Sequence, residues 1–580
     1  MIAVLGEIHS LAELRALPEE TLPALCEELR AEIIRVCGRV GGHLGASLGA
    51  VELIVALHRM FKAPTDAIVF DVGHQAYAHK ILTGRRDRMS TLRQSAGVAP
   101  FLDPLESKYD AFGAGHACTA ISAALGILEA KRLSGEPGRA IAVIGDGSLT
   151  GGLTFEGLNN ASASSQPLIV VLNDNQMSIS VNVGGVPRML RSTAARAFFE
   201  SLGFTYLGPV DGHDLRALIA ALAEARRSRK PILVHAFTVK GRGFAPAEAD
   251  ERTRGHAMGP YELRDGKLVR ARPGQTTFSE AFAAALGERM AQDSRLVAIT
   301  PAMLEGSALT PLRARFPDRV FDVGIAEQHA VTFSAGLAAR GMRPVCCIYS
   351  TFLQRAYDQL VHDVCLPGLP VLFAIDRAGL VGADGATHQG AYDIAILRPL
   401  PGLTIMVPVA GEDLGPMIDA ALQRTGPAAL RFPRATLPAI PPQIRLPAQP
   451  IHGARWLKRV ESPQLVIVAI GPLALSALEA AAERNWSVLD ARFVAPLDRE
   501  ALAEAASAGR ILTVEEGTVR GGLGSAVLEF LCERGLRSLV RSVGLPDRFV
   551  RHGDARLQRV ELGLDAAGIR RAAGQLVEPR

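Results

Sequence analysis

Short, continuously apolar runs rich in β-branched residues recur along the chain, at 140–144, 168–172, 232–235, 371–375, 465–470 and 511–514. Each is closed by glycine or polar residues and followed by a stretch with helical spacing of its apolar positions. A run that is apolar at every position, not at every second one, predicts a strand buried on both faces. Strands of that kind alternating with helices build parallel sheets. The pattern therefore predicts an α/β chain of three doubly wound domains with mainly parallel sheets. The longest apolar stretch, 465–482, is interrupted by Gly471-Pro472 and again by Ser476 and Glu479. Each piece is too short to span a bilayer, so it reads as a buried strand, a turn and a helix.

Two stretches lack any clear period. Residues 245–277 are polar, charged and marked by Gly and Pro, and in 437–449 proline recurs at 438, 441, 442 and 447. Both read as linkers. They divide the chain into a first domain over 1–245, a linker over 246–276, a second domain over 277–436, a linker over 437–449 and a third domain over 450–580. A length of 580 residues agrees with several domains, since one core stops growing well below it. No short repeat is present, so a solenoid is excluded.

Charge narrows the partners. Lys and Arg number 63 against 59 Asp and Glu, a net charge of +4, which speaks against a nucleic-acid surface as the main business. It leaves room for a local basic pocket. The seven cysteines form no CxxC pair, and Cys346-Cys347 lie inside an apolar run. They read as reduced thiols of a cytoplasmic protein, not as a disulfide frame or zinc site. The first residues carry Glu7, Glu13 and Glu19 with no basic start before an apolar run, so no signal peptide and no membrane association is expected.

The run at 140–144 leads into Gly145-Asp146-Gly147-Ser148, and the run at 168–172 ends in Asn173-Asp174-Asn175. Glycines admit a ligand close to the backbone, and amides opening a helix favour an anion. Asp146 and Asn175 stand 29 residues apart, about one strand-helix-strand unit. Adjacent parallel strands would bring both to one carboxyl-end crevice, where a hard cation finds oxygen ligands. Either motif alone reads equally as an ordinary turn. Together they resemble the thiamine-diphosphate enzymes with a transketolase-like fold. That resemblance implies that Asp146, Asn175 and the Met177 carbonyl bind Mg2+, and that Gly147 and Ser148 meet the diphosphate.

Farther on, Gly324-Ile-Ala-Glu327-Gln-His329 looks like the glutamate motif of the transketolase-like enzymes. Taken alone, Glu327 reads as a helix-start carboxylate. The chemistry wants a carboxyl in a dry place, its pKa raised by burial, to activate the cofactor's aminopyrimidine. Longer strings, 41–47, 71–87, 208–214, 349–358 and 376–390, are similar to the 1-deoxy-D-xylulose 5-phosphate synthases over about residues 7–575.

That family resemblance implies decarboxylative condensation of pyruvate with glyceraldehyde 3-phosphate, thiamine diphosphate and Mg2+ as cofactors, and a homodimer. Residue by residue it implies Glu327, His43, His256 and His388 as catalytic. It implies His74, Gly115, His116, Ala117, Lys240 and Phe244 at the cofactor, with Gly147, Ser148 and Asn175. Tyr349, Arg355, Arg377, Asp384, His388 and Arg434 would bind substrate, Arg377 and Arg434 taking the phosphate. Arg431 competes with Arg434 for that role. His79, His213 and His329 read as structural histidines.

Four features depart from the family pattern. The stretch after 178–185 is several dozen residues short, leaving a bridge with Arg188, Arg191 and Arg196. Gln176 and Val181 replace residues that are commonly acidic, Leu304 replaces an arginine, and Ala435 follows Arg434 in place of Gly. None touches the metal pair or Glu327. Two rival readings are a related carboligase with another acceptor and a silent paralogue that only binds cofactor.

Overall fold

The computed structural model describes residues 4–164, 166–264, 267–270, 274–441 and 451–578. By packing, the chain divides into two units, Met1–Pro273 with Gly324–Ala326, and Gly274–Val323 with Glu327–Arg580.

In the first unit, strands β1 (Ala67–Phe70), β2 (Ala140–Gly145), β3 (Ile169–Asp174), β4 (Thr205–Asp211) and β5 (Ile232–Phe237) form one sheet in the order β1-β2-β3-β5-β4, every pairing parallel. The apolar runs explain it. Ile141 and Val143, Ile169 and Val171, and Ile232 and Val234 pack into a core on one face. Ala140, Ala142 and Ile144, with Val170, Leu172 and Leu233, pack into another on the opposite face. Alternate side chains point to opposite sides of a strand, so covering both faces demands apolar residues at every position.

The expected linker over 246–276 carries structure of its own. A short helix, Ala245–Glu248, opens it, Met258 bridges to Gly42, and β6 (Tyr261–Arg264) pairs with β7 (Lys267–Arg270) in an antiparallel hairpin. A few apolar anchors hold this polar stretch. Phe244, Met258 and Tyr261 are buried in the first core, and Tyr261 Oη donates to the Ile34 carbonyl at 3.1 Å. The shortened bridge is also ordered. Helices Val186–Leu190 and Ala194–Ser201 bury Leu190, Ala195 and Phe199.

The second unit holds two sheets. One contains β8 (Leu296–Thr300), β9 (Val320–Asp322), β10 (Arg343–Tyr349), β11 (Leu372–Asp376), β12 (Thr404–Met406) and β13 (Ala428–Arg431). The other contains β14 (Arg455–Lys458), β15 (Leu465–Ala469), β16 (Trp486–Asp490), β18 (Arg510–Thr518) and β19 (Leu539–Leu545). Strand β17 (Phe493–Ala495) comes from the C-terminal part of the chain but pairs antiparallel with β12, so the first of these sheets has seven strands in the order β17-β12-β13-β11-β10-β8-β9. That pairing joins the segments on either side of 437–449 within the second unit. Of that expected linker, 442–449 lies outside the described residues. The 465–482 stretch is strand β15, a turn and helix Leu473–Ala480, and no described helix is long and apolar enough to cross a membrane.

Candidate active site

In the first unit the parallel order puts the ends of β2 and β3 side by side, with Gly145 in register with Asn173. Asp146 begins a tight, buried helical turn, Asp146–Thr150. Its Oδ2 accepts from Asn182 Nδ2 at 3.1 Å, and its Oδ1 accepts from the backbone N–H of Asn175 at 3.3 Å. Burial pushes the Asp146 carboxyl up to about 7, and Asp174 beside it adds to the effect. A carboxyl so placed holds its charge poorly until a cation arrives. Asn175 Oδ1 accepts from Met177 N at 3.1 Å, which ties the turn into one piece. Lys240, itself buried, donates from Nζ to the carbonyls of Ser178 at 2.8 Å and Ile179 at 3.2 Å, and burial draws it down to about 7.

Three histidines meet in the same unit. Ring centroids lie 5.7 Å apart for His43 and His256, 5.2 Å for His74 and His256, and 6.1 Å for His43 and His74. His256 is the member with the two shortest separations from the others. Burial takes His74 down to about 3 and His256 well below the ordinary range, so both are neutral imidazoles near pH 7. The Nδ1 atoms of His74 and His256 are buried without a hydrogen-bond partner. Tyr77 orients the group, accepting from His43 N at 3.0 Å through its hydroxyl.

Residues 115–119 form a loop that Asp71 holds at its junction with helix Ala120–Ser134. The Asp71 carboxylate accepts backbone N–H groups from Cys118, Thr119 and Ala120 at 2.8, 3.0 and 3.3 Å. Gly115 and Ala117 are buried and His116 is half-buried.

In the second unit Glu327 starts helix Glu327–Ala338 and is 3% exposed. Burial raises its pKa, while Arg355, whose Nη1 lies 3.4 Å from Glu327 Oε2, works the other way. A second constellation sits where β10 and β11 end in register, Tyr349 opposite Asp376. The Arg377 guanidinium lies 4.2 Å above the Tyr349 ring and also bonds Asp376 and, at 3.1 Å, Ser279 Oγ. Tyr349 in turn stacks on Phe352, which meets the His388 ring edge-on, with centroids 5.5 Å apart in both pairs. Arg434, about half exposed, reaches Asp384 at 3.2 Å. Arg431 is committed elsewhere: it is buried and bonds Asp393 at 2.7 Å and the Glu516 carbonyl at 2.7 Å. Between the competing arginines, Arg434 is the one with a reachable head group.

The histidines read as structural have structural partners or none of chemical interest. His79 bridges His58 at 2.9 Å and Asp110 at 3.0 Å in full burial, and His213 bonds Glu52 at 3.1 Å and Val239 N at 2.8 Å. His329 is exposed and stacks on Phe333. Leu304 packs against the core around Phe278 and Phe282, and Val181 is exposed.

Sequence reasoning named no role for Asp71, Asn182, Tyr77 or Gly306. Asp71 and Tyr77 lay in the string 71–87, and Asn182 in the string 178–185, but their partners are distant in the chain. Gly306 had no signal at all. A Cβ there would fall 1.9 Å from Tyr349 Oη, so only glycine lets that hydroxyl approach.

The residues present fit Mg2+ and a diphosphate cofactor. A carboxylate, an amide oxygen and a backbone carbonyl make an all-oxygen set of the kind Mg2+ takes, the rest coming from phosphate and water. Among the described residues no group of three or more His, Cys, Asp and Glu side chains is arranged to hold a metal. The buried, unpartnered nitrogens of His74 and His256 are atoms that a polar ligand would satisfy.

Comparison with known proteins gives three family matches. The family described as 1-deoxy-D-xylulose-5-phosphate synthase is matched over residues 5–198 and again over 188–238. Those described as transketolase, pyrimidine binding domain, and transketolase, C-terminal domain, are matched over 274–439 and 454–569. A curated 1-deoxy-D-xylulose-5-phosphate synthase of Myxococcus xanthus is 68% identical over 573 residues, covering 99% of this chain and 98% of that protein. One of Anaeromyxobacter sp. (strain Fw109-5) is 50% identical over 631 positions, covering 100% of this chain and 99% of that protein. That alignment is 51 positions longer than the 580-residue chain, whereas the Myxococcus alignment needs no such excess. The two ranges of the first family match overlap at 188–198, within the short bridge. The Myxococcus protein is thus close to this chain in length. Among solved structures, a transketolase from Leishmania mexicana is 19% identical over 98% of both chains, with a TM-score of 0.46.

Proposed function

The chain belongs to the 1-deoxy-D-xylulose-5-phosphate synthase family, and from that premise we propose that it condenses pyruvate with D-glyceraldehyde 3-phosphate, releasing CO2 and 1-deoxy-D-xylulose 5-phosphate. It is a thiamine-diphosphate-dependent transferase related to the transketolases. The observation that carries the reading from family to chemistry is Glu327, a carboxyl held at a helix start in a dry environment that favours its protonated form.

Asp146, Asn175 and the Met177 carbonyl hold Mg2+ in this reading, and Gly147 and Ser148 meet the diphosphate. Thiamine diphosphate, when bound, supplies the electron sink that lets pyruvate lose CO2. Glu327, whose hold on a proton is strengthened by burial, would hydrogen-bond the cofactor's ring. His74 and His256, held neutral by burial, lie close together with His43, so each of the two offers one donor and one acceptor without adding charge. Gly115, His116, Ala117, Lys240 and Phe244 complete the cofactor's surroundings. Arg377 and Arg434 present planar guanidinium forks to the acceptor's phosphate, a geometry lysine lacks. Tyr349, Arg355, Asp384 and His388 surround the substrate. A cytoplasmic homodimer is part of the same proposal.

The test is to supply protein with Mg2+, thiamine diphosphate, pyruvate and glyceraldehyde 3-phosphate and follow the sugar phosphate by mass spectrometry, with Glu327→Ala alongside. Product from the wild type and a loss of roughly 10²–10⁴-fold in the variant is the expected result. CO2 without the sugar phosphate would instead mean another acceptor, and no turnover despite cofactor binding would sink the enzymatic reading.

A further inference from the structure

Arg377, Asp384 and His388 stand on one loop that follows β11. Reciprocal backbone hydrogen bonds pinch its neck, Gly379 N to Gly390 O at 2.8 Å and Gly390 N to Gly379 O at 2.7 Å. Inside it, Val381 N donates to the buried Gln389 Oε1 at 2.7 Å. With so little regular pairing of its own, the loop's position is decided by what it rests against.

It rests on the C-terminal part of the chain. Glu516, on β18, accepts the Leu380 N–H through Oε1 at 2.9 Å. Arg559, on helix Ala555–Glu561, holds that carboxylate with two hydrogen bonds, Nε to Oε2 at 2.7 Å and Nη2 to Oε1 at 3.0 Å. Just before that helix, Gly553 N donates to the Gly382 carbonyl at 3.2 Å, and Asp554 caps the helix by accepting from Arg556 N and Leu557 N. The fit leaves no slack: a Cβ on Gly379 would fall 2.7 Å from Glu516 Oε1.

We propose that Glu516 and Arg559 are positioning residues for the aldehyde acceptor, locking the Arg377–Gly390 loop so that Asp384 meets Arg434 and the phosphate finds both arginines in place. The inference rests on the function proposed above, in which that loop holds the acceptor. Neither residue needs to touch substrate. The side chains are 12% and 25% exposed, so the ion pair by itself contributes modestly. Its effect is geometric: the guanidinium fixes which carboxylate oxygen faces Leu380. A displacement of about 1 Å in a positioning group costs on the order of 10²-fold in rate. The acceptor half of the reaction would therefore depend on the sheet that contains β18, while the pyruvate half would not.

The experiment compares Arg559→Met, Glu516→Ala and Glu516→Gln with the wild-type holoenzyme by steady-state kinetics and by amide hydrogen exchange. The expected result is a rise of about tenfold in KM for glyceraldehyde 3-phosphate, the size of one lost charge-assisted hydrogen bond, with KM for pyruvate unchanged. Exchange of the peptide over 377–390 should quicken while the β10 and β11 peptides keep their protection. Glu516→Gln, which retains one oxygen for Leu380, should fall between wild type and Glu516→Ala. Parallel changes in both KM values, unchanged kinetics, or unchanged exchange at 377–390 would each overturn the proposal. A wild type that makes no sugar phosphate would count against the function, and the exchange rates would still decide the clamp.

Discussion

Asp71 and Cys118 are 47 residues apart, yet the Asp71 carboxylate accepts the Cys118 backbone N–H at 2.8 Å, and its other oxygen takes Thr119 N at 3.0 Å. One buried side chain at the end of β1 thereby fixes the backbone of the segment that includes Gly115, His116 and Ala117. Asp71→Asn can satisfy only one side of that pair and turns an NH2 toward the other amide. An unsatisfied buried donor costs about 1–3 kcal/mol. The expected outcome is about tenfold or more weaker thiamine-diphosphate binding by calorimetry, with the fold retained by circular dichroism.

Gly306→Ala should force the Tyr349 hydroxyl away, since the new methyl would lie 1.9 Å from it. Overpacking of this kind costs about 1–3 kcal/mol. Adding Tyr349→Phe removes the clashing oxygen, so the double variant should melt above Gly306→Ala alone. A double variant that melts below the single one would show that the contact is not the source of the strain.

For Glu327 the sign of the pH effect follows from burial, which raises its folded pKa above the ordinary 4.5. The folded state then binds the proton more tightly than the unfolded chain. Stability from this group is present below about pH 4.5, falls as pH rises through the folded pKa, and stays lost above it. Glu327→Gln carries no such titration. In cofactor-free protein its melting temperature should gain on the wild type as pH rises through that window, and a constant difference from pH 4 to 8 would refute the expectation.

Mg2+ and thiamine diphosphate together should raise the melting temperature of the wild type, since a ligand at 100 times its Kd adds about 2.7 kcal/mol. A chelator should reverse the gain. Asp146→Asn should show little of it, because the variant lacks the one carboxylate of the proposed metal set.

Arg85→Met tests the reading of His79 as structural. Arg85 bonds Asp110 through both nitrogens at 2.7 Å, and Asp110 in turn bonds His79 at 3.0 Å. Removing one member of a buried ion pair costs about 3–5 kcal/mol. A large loss of melting temperature with near-normal kcat in the surviving folded protein is expected.

The strands were legible because their burial on both faces leaves a mark at every position: 140–144, 169–172 and 465–469 are all strand in the structure. The closeness of Asp146 and Asn175 was legible because adjacent parallel strands separated by one helix impose a near-constant spacing, and the burial of Glu327 because its neighbours are small and apolar. What the sequence could not announce were the partnerships. Asp71 with Cys118, Gly306 with Tyr349, and Arg559 with Glu516 join residues whose local patterns are unremarkable and whose separation carries no period. The 246–276 stretch looked like a tether for a similar reason, its order resting on three apolar anchors scattered among polar residues. Local pattern determined which elements form and which side chains have the right chemistry. Only packing decided which of them is held still, because a hydrogen bond between distant residues exists once the whole core has closed around it.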